Sequence, residues 1–196
     1  MKIEPVVLKG DRVELEPLSL DHVGPLCEFG FKEDVWRWTV NKITTGDQMR
    51  AYVESALNDQ SKGLALPFAS KLSDSHKIVS STRFGNIDVS NRKAEIGWTW
   101  VDPAWQRSFV NTEAKLLMLT HAFKVWGCVR VELKTDALNE KSRNAILRLG
   151  AAEEGIFRNH MITDDGRFRN TVYFSIIDTE WEQVKAGLVQ KLRSYQ

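Results

Sequence analysis

Between Asp102 and Lys115 the sequence reads Asp-Pro-Ala-Trp-Gln-Arg-Ser-Phe-Val-Asn-Thr-Glu-Ala-Lys, a proline-opened turn running straight into an apolar-periodic segment. A turn delivered onto a helix start gathers unpaired backbone N–H groups and the positive end of the helix dipole, which suits a pyrophosphate. The residues of such a cradle are Gln106, Arg107, Ser108, Phe109, Val110 and Asn111. Asn111 has a second reading as the N-cap of the following helix, worth about 1 kcal/mol. A second cassette begins with the strand-like run Val129 to Asp136, continues through Asn139-Glu140-Lys141-Ser142 and closes on Gly150. The three-residue spacing of Asn139 and Ser142 is that of a capping box, so the pair either starts a helix or offers side chains to a ligand.

The two cassettes, together with Leu8 to Leu18, Ala94 to Trp98 and Thr171 to Ser175, resemble the GCN5-related N-acetyltransferases (GNAT), and within them the ribosomal-protein N-terminal (Rim-type, RimJ/RimL-like) branch. The resemblance extends over most of the chain and implies acetyl-CoA as cosubstrate and a primary amine as acceptor, with no metal. The acceptor would be a peptide N-terminus, or a small molecule such as an amino acid, polyamine or aminoglycoside. It also implies that the strand ending at Trp100 and Val101 offers backbone groups to the pantetheine arm, that residues 107 to 111 clasp the pyrophosphate, and that Asn139 meets the pantetheine amide. Ser142 would then lie by the thioester sulfur, and it is the proton-donor candidate because the tyrosines, Tyr52, Tyr173 and Tyr195, all fall elsewhere. One departure stands out: many members have a glycine-bearing loop where this chain has Gln106 to Asn111 without glycine. Glycine normally allows positive φ and close backbone approach to a phosphate.

Acyl transfer to an amine also needs a base, because an α-ammonium group with pKa of about 8 must lose its proton. Glu95 and His160 are the candidates. Glu95 reads equally as a salt-bridged edge carboxylate, and His160, beside Arg158 and Asn159, as a solvated surface histidine. Some Rim-type relatives carry a glutamate one position further on, where this chain has Met161. Trp36 and Trp38 either line an acceptor groove or pack as core. Arg158, Arg167 and Arg169 surround Asp164-Asp165-Gly166 and either meet an acidic peptide or pair with those aspartates. The glycine-free loop and the open choice of base keep an acyl-CoA-binding regulatory domain without catalysis as the alternative.

The elements that must position these groups alternate along the chain. Val13, Leu15 and Pro17 alternate with charged neighbours, the period of a half-buried strand. Ser19 or Asp21 begins a helix ending near Gly30, and Asp47 another that carries Met49, Tyr52, Val53, Ala56 and Leu57 on one face. The stretch from Phe31 to Gly46 has no convincing period. Strands follow near 66 to 72, 78 to 87 and 94 to 101, then a helix from Thr112 to Trp126 stopped by Gly127. A further strand, a short helix from Ser142 to Leu149, two strands about Asp164-Asp165-Gly166 and a C-terminal helix complete the order. The expected fold is α/β: a single domain over residues 1–196, with a mixed central sheet covered by helices on both faces, as in the family resembled.

Composition sets the background. The 27 Lys and Arg against 26 Asp and Glu give a net charge of +1, so there is no global field to gather nucleic acid or anionic lipid. Cys27 and Cys128 have neither CxxC nor metal spacing, which favours a reduced, cytoplasmic setting. No apolar run approaches the roughly 18 residues of a membrane span, and His22, His76 and His121 lack clustered partners for a metal. A monomer or homodimer is expected.

Overall fold

The computed structural model describes residues 1–195. Its first strand differs from the expected single run. β1 (Leu8–Lys9) turns through Gly10 onto β2 (Val13–Pro17), with the Gly10 N–H donating to the Val13 carbonyl at 2.9 Å. A Cβ on Gly10 would sit 2.3 Å from a Glu113 carboxylate oxygen, so the hairpin needs glycine to let that carboxylate approach. A 3-10 turn leads into α1 (Val23–Gly30). The aperiodic stretch contains α2 (Glu33–Trp36), too short to show a period, and α3 (Gly46–Ser61) starts from Thr45, whose hydroxyl accepts from Gln48 N at 3.3 Å.

β3 (Leu66–Leu72), β4 (Ile78–Asp88) and β5 (Lys93–Val101) follow as antiparallel neighbours. Then come α4 (Phe109–Thr120), β6 (Arg130–Asp136), α5 (Glu140–Leu147), β7 (Ala152–Ile162), β8 (Phe168–Ile177) and α6 (Trp181–Ser194). The helix expected at 112 to 126 therefore begins three residues earlier. Its N-cap is Ser108, whose hydroxyl accepts from Val110 N, and Asn111 lies inside the first turn rather than capping it. After Thr120 the helix widens into a π turn, His121–Val125, and Gly127 ends it at φ 65°.

Among the described residues all eight strands join one sheet in the order β1-β2-β3-β4-β5-β6-β8-β7. Its two faces bury separate cores, because successive strand residues point to opposite sides. Leu66 and Phe68 meet the α4 and α6 side with Val110, Met118, Trp181 and Leu188. Ala69 meets the α1 to α3 side with Leu26, Phe29, Trp36, Met49, Val53 and Trp100. The mixed sheet with helices on both faces is as the sequence led us to expect.

Candidate active site

β5 and β6 are the one parallel pair among the described strands, and they pair only from Lys93 with Arg130 to Glu95 with Glu132. β5 continues to Val101 along β4 and β6 to Asp136 along β8, without further pairing to each other. The strands therefore diverge after Glu95, and the β5 edge facing β6 keeps backbone N–H and C=O groups free of ladder bonds. Parallel strands need a crossover, and here it is the loop from Asp102 followed by α4, which sets the start of α4 beside the end of β5.

That loop is held at several points. Asp102 accepts from Ala104 N at 3.1 Å and from Lys32 Nζ at 3.2 Å. Ser108 donates its hydroxyl to Trp105 O at 2.7 Å, and Gln106 Nε2 donates to Val101 O at 3.3 Å. Arg107 adopts φ 63°, the left-handed conformation the absent glycine would have taken readily. Arg12, which sequence reasoning passed over, anchors the helix start. Its guanidinium lies 4.1 Å from the Phe109 ring centroid and donates to the carbonyls of Leu192 and Tyr195, while its N–H donates to Glu113. Asn111 Oδ1 is buried in the first turn without a hydrogen-bond partner.

The second cassette opens α5 with Asn139 as N-cap, its Oδ1 accepting from Ser142 N at 3.1 Å. Capping thus occupies one end of the Asn139 amide and the backbone of Ser142, while the Ser142 side chain is half-buried.

Glu95 lies on the α1 to α3 side, 2% exposed. Its Oε2 takes both Asn86 Nδ2 at 2.8 Å and Lys134 Nζ at 3.0 Å. The salt-bridged reading of Glu95 therefore describes its resting state. His160 is exposed on β7, where Phe157 and Tyr173 pack around its ring at 5.4 and 5.7 Å. Partial desolvation of the ring against Phe157 and Tyr173, aided by the charges of Lys134 and Arg169 and opposed by Glu95, holds its pKa below the usual value. It borders an open concavity of about 800 Å³ lined with Phe157, Arg158, Asn159 and Asn170.

Near Lys134 stands Trp98, the last residue of the Ala94 to Trp98 run that carried part of the family resemblance. It adopts φ 49°, with its ring against Gly85, 5.0 Å from Arg83 and 5.9 Å from the Lys134 amine. A smaller cavity of about 250 Å³ opens beside it, walled by Asp59, Arg83 and Asn86. Trp36 and Trp38 part company. Trp36 is 6% exposed and packs on Trp100 and Tyr52 as core, whereas Trp38 is half-buried beneath the guanidinium of Arg167. The segment after Trp38 is tied to the β7–β8 turn, since Asp164 N donates to Val40 O at 3.0 Å and Lys42 N to Asp164 Oδ2 at 2.9 Å. The Arg167 guanidinium pairs with buried Asp136 at 2.6 Å, its backbone N–H alone reaching the turn at Asp165 Oδ1, 3.5 Å, and Arg169 lies 3.8 Å from the Asp136 carboxylate.

Among the described residues no three His, Cys, Asp or Glu side chains are grouped to hold a metal, and no helix is long and apolar enough to cross a membrane.

Comparison with known proteins bears on this arrangement. The family model described as acetyltransferase (GNAT) domain matches residues 12–152. The Bacillus subtilis protein named "Putative ribosomal N-acetyltransferase YdaF" is 36% identical over 100 residues, 51% of this chain and 54% of that protein, so the match spans about half of each. A GCN5-related N-acetyltransferase from Brucella melitensis superposes with a TM-score of 0.88 at 31% identity, covering 96% of this chain and 86% of that one. Mycobacterium smegmatis RimJ, in complex with CoA-disulfide, shares the fold at a TM-score of 0.80 and 21% identity, over 95% and 92% of the two chains. The family match takes in both diverging strands and the helix at their mouth, and the chain belongs to the GNAT acetyltransferase family.

Proposed function

We propose that this enzyme moves an acetyl group from acetyl-CoA to a primary amine, and that the acceptor is the N-terminal amine of a protein. The observation that carries the reading is the divergence of β5 from β6 directly before the start of α4. An extended pantetheine amide can bond a free strand edge as another strand would, and its pyrophosphate then falls where Phe109, Val110 and Asn111 begin α4. Backbone of Trp100 and Val101 serves the arm; Gln106, Arg107 and Ser108 shape the clasp; the Asn139 amide nitrogen remains for the pantetheine.

The acceptor approaches from the α1 to α3 side, where Lys134 links Glu95, Trp98 and Tyr173, on which the His160 ring packs. Glu95 keeps Oε1 free of its two partners and takes the ammonium proton, directly or through water, with His160 in reserve as a neutral imidazole. The neutral amine attacks the thioester carbonyl, and the Ser142 hydroxyl hydrogen-bonds the departing thiolate. A hydroxyl is a weak acid beside a thiol of pKa about 8.5, so its role is to stabilise charge more than to transfer the proton. The name of YdaF as a ribosomal N-acetyltransferase and the CoA-disulfide held by RimJ support the acceptor and donor respectively.

The test is release of free CoA thiol with acetyl-CoA and a panel of N-terminal peptides, free amino acids, polyamines and aminoglycosides. Saturable turnover with peptides is expected. Turnover confined to a small amine would overturn the acceptor assignment, and none with any amine would overturn the reading altogether.

A further inference from the structure

Lys115 is a lysine in the wrong place for a lysine. It lies on the sheet-facing side of α4 at 4% exposure, and among the described residues no carboxylate pairs with its amine. The amine instead meets two hydroxyls, Thr82 Oγ1 at 3.0 Å and Thr99 Oγ1 at 2.7 Å, which themselves lie 2.7 Å apart. Thr99 Oγ1 also reaches the Gly97 carbonyl at 3.3 Å. Thr82 Oγ1 has Gly97 O at 3.5 Å and Met118 Sδ at 3.7 Å as further neighbours. A neutral amine brings two hydrogens and each hydroxyl one; three of these fill the triangle and the fourth goes to Gly97 O. Burial depresses this amine from the ordinary 10.5 to about 7, in keeping with that count.

The triangle sits behind an irregularity in β5. The β4–β5 ladder passes from Ser81 with Trp100 to Arg83 with Gly97, so Thr82 alone faces both Trp98 and Thr99. The bulge lies beyond Glu95, where β5 has already left β6. It includes the left-handed Trp98, a conformation that costs a bulky residue about 1–2 kcal/mol and persists only when its surroundings impose it. One face supplies a constraint through Gly85, where a Cβ would come within 2.3 Å of the Trp98 ring. The other face supplies Lys115.

We propose that Lys115 is a positioning residue that braces the Trp98–Thr99 bulge through the hydroxyls of Thr82 and Thr99, fixing the course of the free β5 edge along which the thioester lies. The proposal rests on the donor site described above. A small displacement of a reacting carbonyl costs rate more than binding, because the barrier depends on the geometry of the reacting atoms while the distant phosphate clasp stays in place. Bracing therefore acts on kcat and leaves acetyl-CoA affinity almost alone.

The experiment compares wild type with Lys115→Met, which keeps the length and discards the amine, and with Thr99→Val, an exposed position that does not open the core. Both variants should fold, with kcat down about 10-fold and the KM for acetyl-CoA within about 3-fold. In ligand-free protein, amide exchange should rise at Thr99 and Trp100 and stay unchanged in α4. Wild-type kcat in either folded variant, or unaltered exchange at the bulge, overturns the brace. If Lys115→Met does not fold, Thr99→Val decides alone by the same two readouts. Absence of turnover in the wild type itself would fault the donor reading instead, and the exchange measurement would still judge the brace.

Discussion

Glu95 receives both its partners through Oε2, and the proposed proton transfer falls to Oε1. Glu95→Gln should lower turnover about 100-fold while acetyl-CoA affinity, followed by thermal shift, holds steady; unchanged turnover would remove Glu95 from the chemistry. Ser142 can be separated cleanly from its helix, because the cap uses its backbone N–H and not its hydroxyl. Ser142→Ala should keep the melting temperature and cut kcat about 10-fold, whereas Asn139→Ala should cost about 1 kcal/mol of stability. A Ser142→Ala enzyme with normal kcat would leave the thiolate to solvent. Lys115 supplies a signature in pH. The unfolded chain holds that proton up to about 10.5 and the folded one sheds it near 7, so the unfolded state binds more protons between these values and stability gains as pH rises through them. In Lys115→Met that gain should disappear, and identical pH slopes in chemical denaturation would show the amine to be charged when folded. Of these residues Glu95 and Ser142 were legible as types in plausible places. Lys134 and Asn86 were not, since β5–β6 register and an irregularity after Gly85 bring them to Glu95, and neither leaves a mark in the local sequence.

Among the elements, the loop before α4 best shows how sequence and backbone part ways. The absence of glycine from Gln106 to Asn111 suggested a doubtful cradle, yet Arg107 takes the left-handed turn itself. Arg107→Gly should accordingly be more stable than Arg107→Ala by about 1 kcal/mol, because only glycine adopts that φ without steric cost; equal stabilities in urea unfolding would mean that the loop is not held left-handed. The helix start was misplaced for a related reason. Ser108 and Asn111 are both good capping types, and only the Ser108 contacts with Trp105 and Val110 choose between them. Longer elements read correctly where a period had room to show, as in α3 and the β3 to β5 meander, while α2 and the two-residue β1 were too short to give one.

At the scale of the molecule, the mixed sheet and its two helical faces followed from the alternation of element types and from the family resemblance. The site did not follow in the same way. The proposed site is the place where one parallel pair stops pairing, beside a helix start, and the segment from Val40 to Lys42 is tied to the β7–β8 turn. These are relations between distant segments, and local periodicity carries no record of them. The central claim, that the free edge of β5 and the first turn of α4 together hold the donor, is tested most directly by amide hydrogen exchange with and without saturating acetyl-CoA. Protection is expected at Trp98 to Val101 and at Arg107 to Asn111, with little change in α3 and α6. Binding that protects some other surface and leaves both of these segments exchanging as before would contradict it.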